Sequence, residues 1–216
     1  MSLGTLLLDL LTSKEHEIDE ETMQFRFEIP LLARRSILVT RWTMRQPDLQ
    51  ELPIGLFGAS ASAAAALITA ANLSGRISAV VLRSGRRDLA EQVLDEVQAP
   101  TLLVVGSEDY TVLDLNRKAA SRMLCQNRLH IVPGATQQFE EPGALEEVPK
   151  PQASGFWSIC RTAMYRPERT NLTCTNQRTQ RSRDWELSPS PASLIRIAKR
   201  GGKYVADEAK AISRRQ

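Results

Sequence analysis

At 216 residues, 42% hydrophobic and 5% aromatic, the chain is long enough to bury one domain-sized core. Its formal net charge of +3 conceals a break near Pro149: residues 1–149 hold 14 Lys/Arg against 20 Asp/Glu, a net of −6, whereas residues 150–216 hold 14 against 5, a net of +9. That split excludes one uniform domain, and the three cysteines (Cys125, Cys160 and Cys174) have neither the number for a disulfide framework nor metal-ligand spacing.

The chain opens on an apolar run, Leu3–Leu11, whose length and near-continuous hydrophobicity predict a strand covered on both faces. The run carries Asp9 and lacks a basic flank, so it reads as neither a signal peptide nor a membrane span, and a cytoplasmic location is expected. The acidic stretch Ser13–Thr22 reads as an exposed loop. Ile29–Arg45 has helical spacing at Leu31, Leu32, Ile37, Leu38, Val39 and Trp42, with Pro30 suited to a first turn.

Pro53–Phe57 then predicts a short strand running into Gly58, and alanine-rich Ala61–Leu73 a helix able to pack closely on a sheet. Further on, Ile77–Leu82 predicts a strand, Leu89–Val97 a short helix and Thr101–Val105 a strand. Leu113–Leu124 predicts a helix and Leu129–Val132 a last strand, closed by Pro133-Gly134. This alternation specifies a mostly parallel α/β sheet with helices on both faces. Beyond Pro149 the alternation stops. Residues 150–190, rich in Arg, Thr, Ser, Gln and Pro, have the composition of an irregular tail, and Ser193–Ser213 could form a basic helix weakened by Gly201-Gly202.

Chemistry is concentrated at Gly58-Ala59-Ser60-Ala61-Ser62, where a strand meets a helix. That is the setting of a nucleophile elbow, a sharp turn that demands small residues two positions either side of the serine. Ser60 would sit at a helix N-terminus, and the backbone N–H of Ala61 would serve as an oxyanion donor. The consensus has glycine where this chain has Ser62, which adds a side chain to a crowded turn. The bland alternative is a tight turn that buries an ordinary serine.

A serine triad of this type needs an acid after a later strand and a histidine after the last one. Asp109 follows Val104-Val105-Gly106-Ser107-Glu108 and fits the acid, with Glu108 as the fallback; a helix-capping carboxylate is the plain alternative. The loop after the last strand, Pro133 to Gly143, contains no histidine. His16 lies in the acidic stretch and His130 inside the last strand, so neither is placed to act as the base.

The segments Gly4–Leu11, Ile29–Leu32, Pro53–Ala66, Pro100–Asp109 and Arg128–Glu147 resemble the dienelactone hydrolase-like α/β-hydrolases, a group sometimes fused to a phosphoribosyltransferase domain. Most specific are Phe57-Gly58-Ala59-Ser60, and Ile131-Val132-Pro133-Gly134-Ala135-Thr136 followed by Phe139-Glu140-Glu141-Pro142-Gly143. The resemblance covers residues 3–148 and implies a partial α/β-hydrolase domain over 1–149, with 150–216 as a basic tail. It implies Ser60 as nucleophile and Asp109 as acid, and it places Gln137 where the family has its catalytic histidine. It also implies that the family's first strands, with the loop giving a second oxyanion donor, would precede Leu3.

Glutamine has no proton that titrates near neutral pH, so it cannot take the serine proton and return it to a leaving group. The resemblance therefore implies an impaired ester or lactone hydrolase that needs no cofactor and no metal. The alternative is a catalytically inactive binding module or a non-functional truncated fragment. Fourteen basic residues with Trp157, Tyr165 and Trp185 raise nucleic-acid binding by the tail, but no motif organises them and nucleic acid is not expected as a partner.

Overall fold

A computed structural model describes residues 5–144, 195–200 and 203–208. Its centre is a four-stranded parallel sheet, with strands adjacent in chain order. After β1 (Leu6–Leu7), the chain forms α1 (Ser13–Thr22), α2 (Ile29–Thr43), β2 (Ile54–Ala59) and α3 (Ala61–Asn72). It continues through β3 (Ile77–Arg83), a short 3-10 helix (Arg87–Val93), β4 (Thr101–Gly106), α4 (Tyr110–Arg122) and β5 (Asn127–Val132). The central sheet is β2-β3-β4-β5. No described helix is long and apolar enough to cross a membrane.

Strand periodicity divides the core into two layers. Val80, Leu82 and Leu103 face α2, α3 and α4, joining Ala63, Ala64, Leu67, Ala119 and Met123 in one cluster. Their neighbours Ala79, Leu102 and Val104 face the other way, against Ala135, Phe139 and Ala144 of the segment after β5. Helices α2, α3 and α4 thus pack on one face, and that returning segment covers part of the opposite one. Alanine at positions 63–66, all buried, lets the α3 backbone lie close to the sheet. Leu67, Leu82, Leu102 and Leu103 are wholly buried, and burial of each such side chain stabilises the fold by about 1.5–3 kcal/mol.

The expected loop at Ser13–Thr22 is a helix. Its only aliphatic residue is Ile18, so it has no apolar stripe to betray it. Polar contacts hold it instead. Glu15 N–H donates to Thr12 Oγ1 at 3.3 Å while Thr12 N–H donates to Glu15 Oε2 at 2.8 Å, a reciprocal capping box. Arg35 of α2 donates to both Glu15 oxygens at 2.6 and 2.8 Å, which ties α1 to α2. Asp19, only 2% exposed, accepts from the backbone N–H groups of Phe25 and Arg26 and from Arg26 Nε.

The Arg35 guanidinium beside Glu15 pulls its carboxyl down from 4.5 to about 2. A folded pKa below the unfolded one means the stabilisation is present above about pH 4.5 and is lost as pH falls toward 2. Glu15→Gln is therefore expected to lower stability at pH 7, with the gap from the parent narrowing from pH 4.5 to 3 in urea melts. A gap that stays constant over that range would show that Glu15 acts through something other than its charge.

The opening apolar run is also repurposed. Among the described residues of that run, Leu6 and Leu7 form the strand, pairing in parallel with Tyr204 and Val205, outside the central sheet. Leu10 and Leu11 instead pack against the α2–α3 cluster. Where the composition allowed a basic helix over Ser193–Ser213, the structure has antiparallel strands β6 (Ile195–Arg200) and β7 (Lys203–Glu208). Ile195-Arg196-Ile197 alternates with period two, and Gly201-Gly202 between the strands is a two-residue hairpin signal. The irregular tail expected over 150–190, including Trp157, Tyr165 and Trp185, lies outside the described residues.

Candidate active site

Ser60 occupies the single position between β2 and α3. Its backbone is at φ 51 and ψ −123, a conformation that costs a non-glycine residue about 1–3 kcal/mol and persists only where the surroundings impose it. The surroundings are explicit. Ser60 N–H donates to Arg83 O at 3.2 Å, and Ser60 O accepts from Ala63 N at 3.2 Å and Arg86 N at 3.3 Å. Gly58 lies so close to α3 that an added Cβ would stand 2.6 Å from Ser62 O and 2.8 Å from Ala63 Cα. The glycine two residues before Ser60 is thus a steric requirement of the turn.

Ser62, at the position where the consensus has glycine, does not crowd the elbow. Ala59 N–H donates to its hydroxyl at 2.9 Å, and the hydroxyl donates to Ala59 O at 2.7 Å. The extra side chain closes the turn from strand end to first helical turn. No pattern of small residues would have disclosed this brace, because it depends on the hydroxyl reaching back three residues.

Ser60 itself is exposed, at the carboxyl end of the sheet. Ala61 begins α3, so its N–H is one of the four amides without an acceptor inside the helix. The helix dipole favours negative charge at that end. Ala59, Ser60, Arg83, Ser84, Gln137 and Gln138 line one open cleft. The fold therefore brings Gln137, 77 positions along the chain, to the same depression as Ser60. Arg83, Ser84 and Gln138 carry no motif and join the site only through the parallel pairing of β2 with β3 and the return of the chain after β5.

Asp109 caps α4, its Oδ1 accepting from Val112 N–H at 3.3 Å. Its Oδ2 is buried and has no hydrogen-bond partner among the described residues. Glu108 differs, because its carboxylate is exposed and accepts from Ser107 Oγ and Tyr110 Oη. Asp109 does not line the cleft, yet its loop is fastened to the segment bearing Gln137. Glu108 N–H donates to Ala135 O at 3.0 Å, Gly134 N–H to Ser107 Oγ at 2.8 Å, and Ser107 N–H to Val132 O at 2.9 Å. Beyond Gln137, Glu141 accepts from Thr136 N–H at 3.1 Å, and hydrogen bonding from Thr136 holds its carboxyl below the usual range.

Neither histidine lines this cleft. His16 sits on α1, 3.4 Å from Glu20, and His130 lies within β5. The assembled groups are a hydroxyl in a strained elbow, a helix N-terminus, a guanidinium and two side-chain amides.

No protein-family model matches the chain. The crystal structure of a dienelactone hydrolase from Anabaena variabilis is 48% identical, with a TM-score of 0.63 over 65% of this chain and 65% of that one. Two Mycobacterium tuberculosis proteins, from strains CDC 1551 and H37Rv, bear a provisional phosphoribosyl transferase name. Each is 51% identical over 147 residues, which is 68% of this chain and 32% of theirs. The chain spans about a third of the length of those curated relatives, and the transferase name belongs to the longer proteins.

Proposed function

Given a chain similar to the dienelactone hydrolase-like α/β-hydrolases in sequence and fold, we propose that its cleft is a degenerate ester or lactone hydrolase site with Ser60 as nucleophile. The observation that carries this reading is the φ 51 backbone of Ser60, held between β2 and the N-terminus of α3 in the cleft that also receives Gln137. In this mechanism Ser60 Oγ attacks the carbonyl carbon of a small ester or lactone. Negative charge grows on the carbonyl oxygen, where Ala61 N–H donates to it. Asp109 would orient a base through Oδ2, and among the described residues that line the cleft none is a base.

Gln137 can hold a substrate by hydrogen bonds but cannot remove the Ser60 proton, so turnover is slow and what remains comes from binding and the oxyanion donor. Binding without turnover is the second reading, and the Asp109 oxygen that has no partner among the described residues favours it. Stopped assays on a small activated ester such as p-nitrophenyl acetate separate the two. Slow hydrolysis that falls to the buffer rate in Ser60→Ala supports the hydrolase reading. Saturable binding of the ester, with hydrolysis equal in parent and Ser60→Ala, supports the binding module. Rapid hydrolysis unaffected by Ser60→Ala would show the nucleophile to be misassigned.

A further inference from the structure

One buried polar side chain lies behind the elbow and outside the cleft. Asn116, on α4, is fully buried. The other buried residues of that helix, Val112, Leu113 and Ala119, are all apolar, so Asn116 interrupts a stripe where an aliphatic side chain would serve packing. Its Oδ1 is buried with no hydrogen-bond partner among the described residues, a penalty that an aliphatic residue avoids.

The nitrogen of the same amide reaches the elbow's support. Nδ2 donates to Val112 O at 2.6 Å, within its own helix, and to Gly85 O at 3.1 Å, on the loop after β3. Gly85 belongs to the segment that grips Ser60 from both sides. Arg83 O accepts from Ser60 N–H at 3.2 Å, and Arg86 N–H donates to Ser60 O at 3.3 Å. Between them, Ser84 N–H donates to Val104 O at 2.8 Å and ties the segment to β4.

We propose that Asn116 is a positioning residue for Ser60, acting through Gly85 and Arg86, an inference that rests on Ser60 being the nucleophile. A serine at φ 51 has no local preference for that conformation, so it persists only while its backbone groups are held. Releasing Gly85 loosens the grip of Arg86 N–H on Ser60 O and lets Ser60 Oγ and Ala61 N–H drift from a common carbonyl. Small displacements of this kind cost rate steeply, because attack needs aligned atoms. Asp109 caps the same helix, so α4 fixes the acid and the elbow against one frame.

The test compares the parent with Asn116→Leu, a change of similar volume that removes the donor and the orphan oxygen together. In the parent, Arg86 N–H and the Asn116 side-chain amide protons are expected to exchange with solvent far more slowly than those of an exposed loop. In the variant, Arg86 N–H should exchange about tenfold faster or more, while the β4 amides keep their parental protection. A merely structural role would lower protection everywhere or nowhere. Ser60-dependent hydrolysis of p-nitrophenyl acetate, taken as the parent rate less that of Ser60→Ala, should lose about ten- to a hundredfold in kcat with KM unchanged.

Asn116→Ala replaces the leucine variant should that one not fold, and Arg86 exchange in the parent decides if neither folds. Loop-like exchange of Arg86 N–H in the parent overturns the proposal. So does protection in the folded variant that is unchanged or uniformly lowered, or an unchanged kcat. Equal hydrolysis by the parent and Ser60→Ala would instead sink the nucleophile assignment, and exchange alone then decides whether Asn116 holds the segment.

Discussion

Gln137→His is expected to raise hydrolysis of a small activated ester by about 10²–10⁴-fold over the parent, the range supplied by a positioned general base. Two features of the fold make this substitution more than the insertion of an imidazole. Gln137 is exposed and lines the cleft with Ser60, so a side chain of similar size enters without disturbing the core. Asp109 Oδ2 is buried and has no partner among the described residues, and an imidazole Nδ1–H is a donor that such an oxygen accepts. The loops bearing the two residues are already joined through Glu108 N–H to Ala135 O.

The gain should follow a group titrating near the histidine range, about pH 6.5, with activity rising as the imidazole loses its proton. It should disappear when Ser60→Ala is added and shrink when Asp109→Asn is added, because the three residues act as a unit. A folded Gln137→His variant with parental activity across the pH range would show that residue 137 does not reach Ser60 productively.

Gly106→Ala is expected to cost about 2–4 kcal/mol of stability, at the high end of overpacking effects. A Cβ on Gly106 would stand 2.1 Å from Ala135 O, 2.6 Å from Ala135 C and 2.7 Å from Thr136 O. All three are backbone atoms, so no side chain can rotate away. The clash falls where the end of β4 meets the chain leaving β5, and relief would require breaking the Glu108 N–H to Ala135 O bond. Because this junction also sets Gln137 relative to Asp109, Gly106→Ala placed in the Gln137→His background should reduce the gained activity along with the fold. Urea unfolding of the single variant checks the first part, and a loss under about 0.5 kcal/mol would mean that the two segments separate at little cost.

Much of the architecture could be read from local patterns. Alternating apolar strands and the alanine-rich helix located β2 to β5, α2, α3 and α4 to within a few residues, because each buries an apolar face with a characteristic period. Helix α1 escaped that reading for a physical reason. Its stability comes from the Thr12–Glu15 capping box and the Arg35–Glu15 ion pair, and neither leaves an apolar signature. The Leu3–Leu11 run misled in the opposite sense. Hydrophobicity specifies burial but not strand pairing, and Leu10 and Leu11 satisfy it by packing on the helical layer.

The elbow shows where local information ends. Gly58, Ser60 and the strand-to-helix change are visible along the chain because the turn's steric demands act on neighbouring residues. The same one-dimensional reading shows that Gln137 has no titratable proton to offer. Only the folded chain decides that Gln137 lies in the cleft with Ser60, that Ser62 braces Ala59, and that Arg83 and Ser84 line the same depression. Those relations arise from parallel strands whose carboxyl ends gather residues far apart in sequence, and no local propensity encodes that convergence.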